Sequence, residues 1–285
     1  MHSSTSSSSE RIPSGGWPVT WLFSLAIVAL LVAGWEWFIR ERGLDDVAVA
    51  NTAELWIRER ARASEYGDEA LILVGASRMQ GGLDLDELRR ASGLNPVQLA
   101  ITGSPFLPVL RHLAADPAIT GTIIVSLDMA GLRVAEKDSD AEQWIGAYDD
   151  FVDGRTTVYY QPVEDGLRQA TDRAFVSFAR NARPHQLLRS YTARSYVRTL
   201  PDRSQQFDYS TVDRDAALKR RLQLVLGDEE PEYFPIPGIE DRFTEIEQLV
   251  SELQGRGVDV IFVRFPSSGR IRDVEELLYP RDIYW

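Results

Sequence analysis

Cysteine is absent from all 285 residues, which excludes disulfides and thiolate metal sites and leaves the redox compartment open. Histidine is scarce: His2, His112 and His185 are the whole set. No two of them stand in an H-x-x-x-H or H-E-x-x-H spacing, which argues against a histidine-rich metal centre. No EF-hand loop is present, although a carboxylate site for Mg²⁺ or Ca²⁺ stays open. Neither G-x-x-x-x-G-K-[ST] nor G-x-G-x-x-G occurs, so no phosphate-binding loop and no cofactor is indicated. Positive charge is also in deficit. The net charge is −12, with a pI of about 4.8, and an acidic body argues against non-specific nucleic-acid binding.

Apolar residues make up 44% of the chain, the composition of a globular body. Residues 1–16 are Ser-rich and read as a disordered tail. From Pro18 to Trp35 there is no charge. About 20 apolar residues at 1.5 Å rise span a hydrocarbon core of roughly 30 Å. Trp17, Trp21, Trp35 and Trp37 sit near the two ends, as an aromatic belt would, and Arg40 and Arg42 stop the run. The reading is one transmembrane anchor over 17–39. A cleaved signal peptide would want a basic start and a small-residue cleavage site. A buried core helix would want a polar face. Cations near the ends are Arg11 before the run and Arg40, Arg42 and Arg58 after it, which taken literally leaves the large domain cytoplasmic.

Residues 40–68 read as a helical stem, with the helix over 45–65 and a break at Gly67-Asp68. Ala70–Val74 is a continuous apolar run, the pattern of a strand buried on both faces. A turn follows at Gly75–Met79, then a helix over Asp84–Ala91, capped by Asp84 and closed by Gly93. Val97–Ile101 and Thr122–Leu127 read as strands two and three, and Val258–Val263 as strand four after a helix over Ile239–Gln254. Ser104–Ala114 reads as a helix, with Pro105 at its start and Pro108 deep enough to delay it. Strands alternating with helices imply a parallel sheet with right-handed crossovers. A helical insertion at about 130–238 separates strands three and four. Arginines 168, 173, 180, 183, 189, 194, 198 and 203 in it read as a solvated helical face, or else as a basic rim for an anionic polymer, a partner or lipid headgroups.

Ligands of open α/β sheets bind beyond the carboxyl ends of the strands. Three such ends are Gly75-Ala76-Ser77, Thr102-Gly103-Ser104 and Asp128. Taken alone, Ser77 in a strand-to-helix turn is most simply a cap. The nucleophile elbow G-x-S-x-G fails at Met79.

The order of these blocks, Leu71–Met79, then Leu99–Pro105, then Ile123–Asp128, resembles the SGNH/GDSL hydrolase superfamily, in particular the membrane-anchored envelope members related to alginate O-acetylation proteins. The resemblance covers roughly 70–285. It implies a flavodoxin-like three-layer α/β fold over 69–285, with Ser77 as nucleophile and the Gly103 N–H as an oxyanion donor. Asp128 stands where the family normally has an asparagine donor, a role a carboxylate cannot fill unless protonated. The family's D-x-x-H block, which supplies the base, is absent: His112 has Val109 three residues before it and His185 has Ala182. In the family, the last strand and the D-x-x-H helix lie beyond such a point as Tyr279–Trp285. The implied function is a membrane-anchored acyl esterase or O-acetyltransferase of cell-envelope polysaccharide, inactive as given for want of a base. The alternative is a non-catalytic accessory subunit that binds a glycan or a polytopic acyltransferase partner. The resemblance also argues for an extracytoplasmic domain, against the charge count.

Overall fold

A computed structural model describes residues 16–41, 51–133, 135–155, 197–226, 236 and 238–284. Helix α1 (Trp17–Glu41) belongs to one compact unit, and the elements from residue 48 onward that are described here belong to another. α1 carries apolar side chains on every side. Leu22 and Leu30 are 66% and 73% exposed, and the stretch Trp17–Phe38 is long and apolar enough to cross a membrane.

The second unit starts with α2 (Ala53–Glu65). The Thr52 hydroxyl caps it by accepting from the Leu55 N–H at 3.5 Å. Glu54 in its first turn and Arg62 in its last complement the helix dipole. Trp56, Arg60 and Ala63, four and three residues apart, lie along its buried face with Ile57 and Glu59 beside them. Trp56 is fully buried, and its indole N–H donates to the Leu99 carbonyl at 3.0 Å. That bond removes the cost of burying the polar end of a large ring.

Four strands form a parallel sheet in the order β2-β1-β3-β6: β1 (Ala70–Val74), β2 (Asn95–Gln98), β3 (Thr122–Ser126) and β6 (Asp259–Val263). Ile72 stands opposite Val97 on one side and Ile123 on the other. Every residue of β1 is buried, because alternate side chains enter two separate apolar clusters. Ile72 and Val74 join the larger one with Trp56, Leu110, Leu113 and Leu253. Leu71 and Leu73 join the smaller one with Met79 and Leu85. This is why the run shows no polar alternation.

Short helix α3 (Ser77–Gly81) and helix α4 (Leu85–Ser92) link β1 to β2. Asp84 caps α4 by accepting from the N–H groups of Asp86 and Glu87, both at 3.0 Å, and Gly93 closes it at φ 73°. After β2 come α5 (Leu107–Ala115), then β3, α6 (Met129–Arg133) and α7 (Asp140–Val152). Strands β4 (Val197–Thr199) and β5 (Gln205–Phe207) form an antiparallel pair. Then follow α8 (Arg214–Leu226), α9 (Ile239–Gly255), β6, α10 (Gly269–Leu278) and α11 (Arg281–Tyr284).

Several boundaries differ from the sequence reading. The stem helix is described only from Ala53. Residues 75–79 are not all turn, since Ser77 already opens α3. Strand two begins at Asn95 and ends at Gln98, although the ladder continues: the Leu99 N–H donates to Leu73 O and the Ile101 N–H to Gly75 O, each at 2.9 Å. Helix α5 starts at Leu107 rather than Ser104, with Pro108 accommodated in its first turn, where no intrahelical N–H is needed. The insertion is not wholly helical, since it contains β4 and β5.

Candidate functional site

The carboxyl ends of β1, β2 and β3 lie on one edge of the parallel sheet, with β1 in the middle. At the end of β1 the chain passes Gly75, where a Cβ would stand 2.7 Å from Ser126 Cβ and 3.0 Å from Met79 Cβ. Only glycine lets β1 pass that close to β3. Ala76 then caps α3 in extended conformation, and its carbonyl accepts from the N–H groups of Met79 at 3.0 Å and Gln80 at 3.2 Å. Met79 anchors the turn in the smaller core, which leaves Ser77 half-buried at the opening of α3. Neither its hydroxyl nor its N–H has a hydrogen-bond partner among the described residues.

Gly103 follows the end of β2 at φ 77°, in a turn closed by Ser104 N–H donating to Ile101 O at 3.2 Å. A Cβ there would meet nothing within 4 Å, so its glycine serves conformation rather than close approach. Its N–H is likewise without an acceptor among the described residues. Gly75 is bonded to Ile101, so Ser77 and Gly103 each lie two residues beyond one inter-strand hydrogen bond.

Side chains that the sequence reading did not single out tie these two loops together. Gln98 is fully buried; its amide donates to Met79 O at 3.2 Å, and its carbonyl accepts from Ala100 N–H at 3.1 Å. Gln80, also fully buried, accepts from the Thr102 hydroxyl at 2.6 Å and donates to Arg203 O at 3.3 Å. The one available signal was Gln98 itself, a polar residue inside an apolar strand.

Asp128 follows β3 and lies within electrostatic reach of Arg78 and Tyr279. Arg78 pairs with Glu275 of α10. Burial works against the Arg78 charge, but the bonded Glu275 carboxylate, with Asp128 beyond it, more than offsets this and raises its pKa. Tyr279, buried beside Arg133, is raised chiefly by burial, with Asp128 and Glu275 adding to it. The edge next to Ser77 thus holds paired guanidinium and carboxylate groups, with Asp128 close to them.

His112 is far from free. Arg60 Nε donates to its Nδ1 at 3.2 Å, and its Nε2 lies 3.1 Å from Asp149 Oδ1. Both ring nitrogens are committed, so this imidazole cannot take a proton from a serine. His2, His185 and the arginines from 168 to 194 lie outside the described residues. Of the remaining arginines in that stretch, Arg203 contradicts the solvated-face reading, because it is fully buried. Among the described residues, no three His, Asp or Glu side chains are arranged to hold a metal ion.

No family model, no curated protein and no solved structure matches the chain.

Proposed function

We propose that this chain is a single-pass membrane protein whose extracytoplasmic body has the doubly wound, three-layer SGNH-like architecture. In this reading it engages an O-acylated envelope polysaccharide, or an acyltransferase that handles one, without turning the ester over. The observation that carries the reading is Ser77: among the described residues a hydroxyl and two N–H groups, its own and that of Gly103, stand unengaged at neighbouring strand ends, and His112, the one described imidazole, is held elsewhere by Arg60 and Asp149. The sheet order supports it, since ligands of such sheets bind where the strand order reverses, here between β1 and β3.

The chemistry follows from the inventory. Two fixed N–H donors can hold the carbonyl oxygen of an acyl group without reorganising. A serine hydroxyl at neutral pH attacks that carbon slowly unless a base removes its proton. Loss of a triad member leaves at most about 10³–10⁴-fold catalysis over water, far below a working enzyme. Arg78 is charge-paired with Glu275 and cannot act as that base.

The test uses the full chain in detergent, with an acetyl ester and an O-acetylated oligosaccharide. Hydrolysis should not differ between the natural chain and Ser77→Ala. Calorimetry should detect binding of the oligosaccharide that Ser77→Phe abolishes by filling the crevice. Rapid Ser77-dependent turnover would overturn the non-catalytic reading, and absence of binding would remove the glycan.

A further inference from the structure

A second polar cluster, apart from Ser77, joins α2 to α5 and α7. Arg60 reaches into it from α2 with a side chain only 1% exposed. Its Nη2 donates to Asp116 Oδ2 at 2.7 Å, its Nη1 donates to the Ser64 hydroxyl at 2.9 Å, and its Nε donates to His112 Nδ1 at 3.2 Å. Ser64 in turn donates to Asp116 Oδ2 at 3.0 Å. The guanidinium also lies 4.9 Å from the centroid of the Tyr148 ring, which meets the His112 ring edge-on at 5.4 Å.

The Arg60 bond fixes the state of the histidine. Guanidinium N–H groups only donate, so Nδ1 must present its lone pair. The ring proton is therefore on Nε2, where it donates to Asp149. A second proton could enter only at Nδ1. It would turn the acceptor into a donor facing another donor, and set an imidazolium against a guanidinium. Burial first, and Arg60 second, oppose that proton, while Asp149 and Asp116 favour it; the balance lowers the pKa of His112. Asp116 is lowered as well: burial would raise it, and Arg60, Ala118 N–H and Ser64 outweigh burial. Tyr148 is raised, mainly by burial, and stays neutral. Of the groups in this cluster, His112 is therefore the one whose protonation breaks a bond to α2.

We propose that Arg60, His112, Asp116 and Asp149 form an acid-sensitive latch that holds α2 against α5 and α7 at neutral pH and loosens it in acid. The sign is fixed by linkage. The folded chain binds this proton less readily than the unfolded one, so the latch is at full strength above the ordinary histidine pKa of about 6.5 and is lost as pH falls through the folded-state value. Tyr148, edge-on to His112, keeps α5 and α7 together, and Arg60 keeps its bond to Asp116, so α2 loosens without leaving the body.

The experiment is hydrogen–deuterium exchange on the full chain in detergent, with protection corrected for intrinsic rates. Protection of 53–65 should fall between pH 7.5 and 5 by no more than about tenfold per pH unit, the limit for one proton. The strand 70–74 should hold its protection. His112→Asn keeps an acceptor near the Nδ1 position and cannot titrate there, so its α2 protection should be level across the range. Nitrogen NMR of the unmodified chain, which needs no variant, should show His112 protonated on Nε2 alone at pH 7.5. Level protection in the natural chain, acid loss that persists in His112→Asn, or a proton on Nδ1 at neutral pH would each overturn the latch.

Discussion

Glycine does two different jobs at the ends of β1 and β2, and the difference is measurable. At Gly75 an added methyl would stand 2.7 Å and 3.0 Å from the Cβ atoms of Ser126 and Met79, and a φ of +156° strains an L side chain besides. Cβ atoms cannot rotate away, so β3 or α3 must move. Gly75→Ala should cost about 1–3 kcal/mol for overpacking, with backbone strain added. At Gly103 the space is open and only φ 77° is at stake, so Gly103→Ala should cost about 1–2 kcal/mol. Thermal denaturation followed by circular dichroism should rank Gly75→Ala as the more damaging; the reverse order would deny the close approach of β1 to β3. Gly75, Ser77 and Gly103 were legible because each follows an apolar run, and a strand end is a local signal. Gln80 and Arg78 were not, because their roles depend on Thr102, Arg203 and Glu275, which lie 22, 123 and 197 residues away.

The strands of the parallel sheet could be read because burial on both faces forces unbroken apolar runs. The β4–β5 pair could not. Each strand has three residues, Val-Arg-Thr and Gln-Gln-Phe, with no run to recognise. Arg203, in the turn between the two strands, ties this pair to the sheet. The residue adopts φ 66°, and its guanidinium donates to Gln98 O at 2.6 Å, Ala100 O at 3.0 Å and Asn51 Oδ1 at 3.0 Å. It also lies 5.3 Å from the centroid of the Trp144 ring. Burial, slightly relieved by Glu59, pushes the Arg203 pKa down to about 9, so the residue still carries its charge at neutral pH. Nothing local separates Arg203 from the other arginines of its stretch; its burial is decided by two carbonyls about a hundred residues upstream. Arg203→Met keeps the bulk but leaves those carbonyls without a donor, at about 1–3 kcal/mol each. The expected result is a loss of about 2–5 kcal/mol in urea unfolding, with exchange protection falling first at 197–207. A loss below about 1 kcal/mol would mean that the pair is held by other contacts.

On the scale of the whole molecule the two units pose different solubility problems. The body carries most of the acidic charge and buries its apolar residues in two clusters. Helix α1 buries almost nothing: Leu22, Phe23, Leu25, Ile27, Val28, Leu30 and Leu31 are all more than half exposed. Water is a poor solvent for such a helix. At the centre of a bilayer each Leu, Ile, Phe or Val contributes about −0.3 to −0.6 kcal/mol to insertion, so these seven alone supply on the order of −2 to −4 kcal/mol. The peptide groups are already satisfied along the helix, as a hydrocarbon environment requires. The full chain should therefore sediment with membranes and resist carbonate extraction, and deletion of residues 1–42 should release the body into the soluble fraction. A cleaved leader would give the same hydrophobicity but a different product, a shortened soluble chain. The mass of the membrane-bound species separates the two. Recovery of the intact chain without detergent would sink the anchor, because nothing in α1 offers water a polar face.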